Sequence, residues 1–338
     1  MLELHEPDGA FAALEAYLCD ELRAGESADV YLGYGLSGIL RREAGAAPPE
    51  PCPLPLLAAR RRRPVAVPRV PLRIGEWEAS WSAEAYGVAV GEVRAAIARG
   101  DVYQVNLVQH LAAPFEGDAA GLADALAPLR PLHARPFEGD GWAIVSASPE
   151  LYLRRRGDLL VTMPIKGTRP AGEDVDDEKD EAEHVMIVDL ERNDLSRVCR
   201  PGTVRWPELM VQRELAGVTH LVSRVEGRLR PGAGLAEILS ATFPGGSITG
   251  APKIAAVDHI ARLEPVGRGA SMGAIGTVAA NGDFDLALTI RTFAIAEGRV
   301  HLWAGGGVVW DSDPEAEVEE SWVKARPLLA AVGGLVAV

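Results

Sequence analysis

The 338-residue chain carries 34 Lys and Arg against 48 Asp and Glu, a formal net charge of −14. Binding a nucleic-acid backbone needs a basic face that displaces counterions, so that class is excluded. With 48% hydrophobic and 24% charged residues, the composition is that of a globular protein and excludes a disordered chain.

The first residues, MLELHEPDGAFAALEAYL, include Glu3, Glu6 and Asp8 and lack a basic n-region, so no signal peptide is expected. Cys19, Cys52 and Cys199 are widely spaced and form no CxxC pair, which argues against a disulfide framework or a structural zinc site. No run of about 18 apolar residues offers a membrane span. A reducing cytoplasm is the expected location. Gly33-Tyr34-Gly35-Leu36-Ser37-Gly38 matches GxGxxG, but a proline run begins within ten residues of it. That leaves no room for the helix and second strand of a dinucleotide fold, so the glycines are expected in a turn.

Residues 48–71 hold eight of the 24 prolines and the run Arg60-Arg61-Arg62-Arg63. Proline density opposes helix and central strand, so an exposed connector is expected there. Residues 1–75 then form a short N-terminal unit plus connector, and residues 76–334 the main domain. Tyr86, Val90, Val93 and Ile97 recur at helical spacing and Gly100 follows the helix end. Tyr103 to His110 alternates as a strand. Further strands are expected near Trp142–Ser146, Leu159–Ile165, His220–Gly227, Ala274–Ala279, Phe284–Phe293 and Val300–Ala304. Asn281-Gly282 signals a type I′ hairpin. Helices are expected near Glu178–Asp194, Gly234–Ala241, Pro252–Leu263 and Pro314–Leu329. Sequential hairpins beside clustered helices indicate an α+β fold.

Two segments concentrate the acid. Residues 173–194 hold eleven acids and two bases, and residues 311–320 hold six acids and no base. Solvated charge is the default reading of such runs. In the second run Asp313 and Pro314 read as a helix start, and Glu317, Glu320 and Lys324 then share one face. Two carboxylates and an ammonium there can hold a hard cation and an acidic ligand. Lys166 follows an apolar strand beside Gly167 and Thr168. It is either a surface side chain or a partly desolvated amine with a lowered pKa. Glu150 ends another short strand and is a general-acid candidate if burial raises its pKa. Thr249 and Gly250 precede Pro252, where a helix N-terminus takes an anion or Thr249 merely caps it. Arg291 shares a strand face with Thr289 and Ala287, a setting for a carboxylate clamp. Gly305-Gly306-Gly307, after a strand ending at Ala304, permits close approach of a ligand to the backbone.

Ten blocks stand in a telling order: GDVYQVNL (100–107), SASPE (146–150), PIKGTRP (164–170), EHVMIVDLERNDL (183–195), THLVS (219–223), FPGGSITGAPK (243–253), GAIG (273–276), TIRT (289–292), AGGGVV (304–309) and DSDPEAEVEES (311–321). Over residues 76–330 the chain resembles the chorismate-utilising enzymes. It is most similar to the synthase subunits of aminodeoxychorismate synthases and, more distantly, to those of anthranilate synthases. The resemblance implies two antiparallel sheets packed at a large angle, helices outside, and a site in the cleft between them.

It also implies roles. Lys166, in PIKGT where anthranilate synthases typically read PIAGT, would attack C2 of chorismate as the C4 hydroxyl leaves, with Glu150 as the acid. Gln104 stands where isochorismate-forming relatives carry a lysine base, which argues against isochorismate synthesis. His220 aligns with a histidine near the ring hydroxyl. Glu183 and Glu320 align with Mg²⁺ ligands, with Glu317 close behind. Arg291, Lys324 and the N–H groups of Gly305 and Gly307 would bind the pyruvyl carboxylate. Ser271 departs from the pattern, since relatives usually carry an aromatic there. With no glutaminase-like segment, ammonia is expected free or from a separate glutamine amidotransferase subunit.

Overall fold

The computed structural model describes residues 1–43, 45–62, 70–170, 178–215 and 218–333. The chain begins with β1 (Leu2–Leu4), α1 (Ala10–Glu21), β2 (Ser27–Leu32), a 3-10 turn at Tyr34–Leu40, and β3 (Leu57–Arg61). Then come β4 (Arg73–Ile74), β5 (Glu78–Ala79), α2 (Ala83–Arg99), β6 (Gln104–Glu116) and α3 (Ala119–Leu126). The middle holds β7 (Phe137–Glu138), β8 (Trp142–Ser146), β9 (Leu151–Arg156), β10 (Leu159–Met163), β11 (Ile165–Pro170) and α4 (Glu178–Ser196). Next are β12 (Arg205–Leu215), β13 (Val218–Arg228), α5 (Leu235–Thr242), β14 (Gly250–Ala251) and α6 (Lys253–Leu263). The chain closes with β15 (Ala274–Ala279), β16 (Phe284–Leu288), β17 (Thr292–Ala296), β18 (Arg299–Val308) and α7 (Pro314–Ala331).

Local chemistry explains the helices that flank the site. Ser82 caps α2 by accepting the Ala85 N–H, Tyr86, Val90 and Val93 form its buried stripe, and Gly100 ends it in the left-handed region at φ 82°. Asp313 caps α7 by accepting the Ala316 N–H, with Pro314 in the first turn. The end of α2 at Gly100 and the start of α7 at Asp313-Pro314 match the sequence expectation.

The strands form two antiparallel sheets. One has the order β1-β3-β2-β15-β16-β9-β10-β13-β11, with β12 also on β13; the other runs β14-β6-β18-β17-β8-β7, with β4 and β5 on β6. The α+β class is as expected. Among the described residues no helix is long and apolar enough to cross a membrane.

Several details differ from the sequence reading. The main sheet runs across the boundary expected near residue 75: β2 pairs with β15 from Leu32↔Ala274 to Ser27↔Ala279, and β3 pairs with β2. Arg60 and Arg61 lie in β3 rather than in a connector. Arg60 donates to the Glu138 carbonyl at 2.7 Å and sits over the Phe137 ring, and the arginines of positions 60, 62 and 135 lie 3.7–3.8 Å from the buried Asp29 carboxylate. Arg63 lies outside the described residues. Burying one acid recruits these arginines inward, which charge counting over the whole chain does not reveal.

The expected strand Phe284–Phe293 is two strands in different sheets, with residues 289–291 crossing between them. Arg291 takes φ 50° at that crossing and so does not belong to a strand face. The glycines 305–307 do not follow a strand but continue it: β18 runs to Val308, with Gly305↔Val108 and Gly307↔Asn106 paired to β6. The hairpin at Asn281-Gly282 is present, with the Gly282 N–H donating to the Ala279 carbonyl. Only Gly282 has positive φ, so the turn is not type I′, which needs both central residues there.

Candidate active site

The two sheets meet where β11, β13, β6, β18 and the Ser146–Glu150 link come together, with α4 and α7 laid against them. Lys166 projects from β11 and its Nζ donates to Glu183 Oε1 on α4 at 2.5 Å. Gln104, the first residue of β6, donates its side-chain N–H to the same oxygen. Burial pulls the Lys166 pKa down, but the charge and hydrogen bond of Glu183, helped by Glu150 and Glu320, outweigh it and hold the pKa above the usual lysine value. The expectation of a lowered pKa is therefore corrected in this carboxylate-rich setting.

Glu150 is 2% exposed. Burial pushes its pKa up to about 7, against the opposing pull of the Ser247 hydroxyl, Lys166, the Ile165 N–H and Arg291. A carboxyl that is half protonated at neutral pH can give a proton to a leaving group there. His220 on β13 donates Nδ1–H to the Gly167 carbonyl at 2.7 Å. Burial lowers its pKa, so the ring is neutral at pH 7. Burial likewise lowers the pKa of Arg291 beside Glu150.

On α7, Glu317 accepts from the Ser312 hydroxyl at 2.6 Å, and Lys324 bridges Glu320 Oε1 at 2.6 Å and the Gly305 carbonyl at 3.1 Å. A side chain at Gly306 would meet Glu320 Oε1 and Lys324 Nζ at 3.0 Å, with Glu317 just beyond; one at Gly307 would run into Gln104 and Glu183. Neighbouring residues of a strand face opposite ways, so the α7 carboxylates approach β18 from one face and Glu183 from the other. Among the described residues no three His, Cys, Asp or Glu side chains stand close enough together to hold a metal. Each outer carboxylate is met by a lysine, Glu183 by Lys166 and Glu320 by Lys324. β17 pairs with β18 only as far as Leu302, so Gly305 and Gly307 are strand-paired on the β6 side alone.

The helix-terminus reading of Thr249 and Gly250 does not match the geometry. Gly250 is in β14, pairs with Val105 and has φ 134°. The Thr249 hydroxyl donates to the Gly245 carbonyl at 2.8 Å, and α6 has no side-chain cap. Ser271 is fully buried and within reach of the Thr289 carbonyl.

The sequence reading passed over three polar residues here. Ser247, inside the FPGGSITGAPK block, faces Glu150. His184, next to Glu183, shares a 2.6 Å hydrogen bond with Ser223, and burial lowers its pKa to about 4. Glu191 accepts from Thr162 at 2.8 Å, and burial raises its pKa to about 8. All three lie inside the ordered blocks, Ser247 in FPGGSITGAPK and the other two in EHVMIVDLERNDL, so block membership could have flagged them.

Known proteins share this architecture. A sequence profile described as chorismate binding enzyme matches residues 22–330. Anthranilate synthase component 1 of Thermus thermophilus is 42% identical over 313 residues, covering 88% of this chain and 68% of that protein. Aminodeoxychorismate synthase component 1 of Klebsiella aerogenes is 41% identical over 268 residues, covering 75% of this chain and 59% of that protein. The chain therefore spans roughly three fifths to two thirds of the length of these relatives. The crystal structure of anthranilate synthase component I from Streptococcus pneumoniae superposes with a TM-score of 0.82 at 27% identity, covering 93% of this chain and 84% of that one. With the matched residues reaching from the end of α1 to the end of α7, the chain belongs to the chorismate binding enzyme family.

Proposed function

We propose that this protein aminates chorismate at C4 to give 4-amino-4-deoxychorismate, using ammonia from a separate glutamine amidotransferase subunit. The observation that carries the reading is the placement of Lys166, whose side chain on the terminal strand β11 is only 12% exposed and is flanked by Glu183 and Glu150. Direct attack by ammonia would need no lysine.

The Lys166 amine forms a bond to C2 while both ring double bonds shift by one position and the C4 hydroxyl departs, taking the Glu150 proton and leaving as water. Ammonia then bonds to C4, both double bonds shift back, and the C2–N bond breaks to return the lysine. Covalent catalysis splits one hard substitution into two easier ones. Only the free amine attacks, so Lys166 must first give up its proton. His220, neutral and anchored through Nδ1, presents Nε2 toward the ring hydroxyl without adding charge. Arg291, Lys324 and the open edge of β18 at Gly305 and Gly307 receive the carboxylate of the side arm.

Glu183 and Glu320, with Glu317 behind, are the kind of carboxylates that Mg²⁺ takes, and they would hold it only if they gave up their lysine partners and were drawn together, since as they stand they form no closed metal site. An ion held there would supply positive charge to offset that of the ring carboxylate.

Chorismate, ammonia and Mg²⁺ should yield a product that becomes 4-aminobenzoate once a lyase is added. Anthranilate as the sole product would overturn the proposal. That second reading, anthranilate synthesis, is favoured by the 42% identity to the Thermus relative. It makes Lys166 a spectator, so Lys166→Ala separates the two.

A further inference from the structure

Arg268 and Glu264 form an ion pair inside the protein, 1% and 4% exposed. Such a pair gives up the hydration of two charges, and a packed apolar pair is often no less stable. Its bonds show what an apolar pair would not supply. Arg268 Nε and Nη2 donate to the two Glu264 oxygens at 2.8 and 2.7 Å. Nη1 also donates to the Ile248 carbonyl at 3.0 Å, and Nη2 to the Asn106 carbonyl at 2.7 Å. Glu264 in turn accepts the Val108 N–H at 3.0 Å.

Asn106 and Val108 lie on β6, two and four residues beyond Gln104. Ile248 ends the short 3-10 turn Gly246–Ile248, whose middle residue is Ser247. The Asn106 N–H donates to the Thr249 carbonyl at 2.9 Å and closes the same junction. Ser247 is 6% exposed and faces the Glu150 carboxyl.

We infer that Arg268 is a positioning residue: through Ile248 it holds Ser247 against Glu150, and through Asn106 it locks that turn to the strand that begins at Gln104. The catalytic consequence rests on Glu150 acting as the acid proposed above; the positioning does not. The other charged groups facing Glu150 are Lys166 on β11, Arg291 at the sheet crossing and Glu191 on α4, and the hydrogen bonds of Arg268 go elsewhere.

The test is the Glu150 titration itself, followed by NMR on protein carrying ¹³C-carboxyl glutamate, with the signal identified by its loss in Glu150→Gln. Ser247→Ala should raise the Glu150 midpoint by about one pH unit, the scale of a lost hydrogen bond to the charged form. Arg268→Met alone strands a buried Glu264, so it is paired with Glu264→Gln, and Arg268→Lys serves as a second variant that keeps the charge and loses the fork. Both should raise the midpoint, and adding Ser247→Ala to either should raise it no further than Ser247→Ala does alone. A folded Arg268 variant with an unchanged midpoint overturns the inference, as does a rise that adds to that of Ser247→Ala. A purely structural role would shift the thermal midpoint and leave Glu150 where it was. The titration reads the same whether or not the protein consumes chorismate, so a wild-type protein that turns over no chorismate counts against the proposed function alone.

Discussion

Lys166 Nζ and Gln104 Nε2 converge on a single oxygen, Oε1 of Glu183, with the lysine at 2.5 Å. An amine so placed is held as an ammonium, and the proposed nucleophile is therefore stored in its unreactive form. Whatever draws charge from Glu183 releases it.

Lys166→Ala should abolish formation of 4-amino-4-deoxychorismate while chorismate still binds, because the groups proposed to receive its carboxylates are other residues. Product analysis by chromatography and a chorismate binding isotherm check the two halves. Full retention of aminodeoxychorismate synthesis would show that the lysine is not the nucleophile.

Glu183→Gln removes the largest influence holding the Lys166 pKa up, while burial still pulls it down. The midpoint should fall below that of the wild type in metal-free protein. Reaction of Lys166 with an amine-selective reagent across a pH series, read by peptide mass spectrometry, measures it.

Glu150 links catalysis to stability. Its folded pKa is raised to about 7 from an ordinary 4.5, so between those values the folded state holds a proton that the unfolded chain has lost. Stability from this group is full below the unfolded value and is lost as pH rises through the folded one. Glu150→Gln mimics the protonated form. It should leave urea stability nearly unchanged at pH 5 and raise it at pH 8, by up to about 3 kcal/mol. The same variant should cut turnover by about 10²–10⁴-fold. Equal effects on stability at both pH values would mean that Glu150 is charged throughout.

Gly307→Ala places a methyl group on Gln104 and Glu183. The Gln104 hydrogen bond should break, with a stability cost of about 1–3 kcal/mol for overpacking and a larger proportional loss of turnover. Gly306→Ala meets only the ends of flexible side chains, Glu320 and Lys324, and should fold nearly as well. Thermal midpoints and turnover of the two variants, compared side by side, test the contrast.

Asp29→Asn strips the charge from a carboxylate lying among three guanidinium groups. A loss of about 1–3 kcal/mol is expected, shrinking as salt screens the arginines. Urea unfolding at low and high ionic strength measures it.

Much of this architecture could be read from residues, and the failures have causes. The strands expected at Trp142–Ser146 and Ala274–Ala279 match β8 and β15 to the residue, and cap chemistry placed the end of α2 and the start of α7. The ordered blocks brought Lys166, Glu183, Glu150 and His220 together. What stayed hidden was long-range partnership. Nothing local in Ser27–Leu32 says that it pairs with Ala274–Ala279 and so merges the N-terminal residues into the main sheet. Nothing in TIRT says that the chain changes sheets between Leu288 and Thr292. The sign of the Lys166 shift depended on Glu183, seventeen positions away and delivered by a helix.

That change of sheet has a mechanical consequence. Leu288 is tied into one sheet and Thr292 into the other, and Arg291 hangs on the few residues between. Glu150 sits on the other such bridge, between Ser146 in β8 and Leu151 in β9. Two short tethers thus carry an acid and a guanidinium across the same seam. The span of the site is set by how far apart the two sheets stand, and a substrate of fixed size is gauged against a rigid frame rather than gripped by loops that adjust to it.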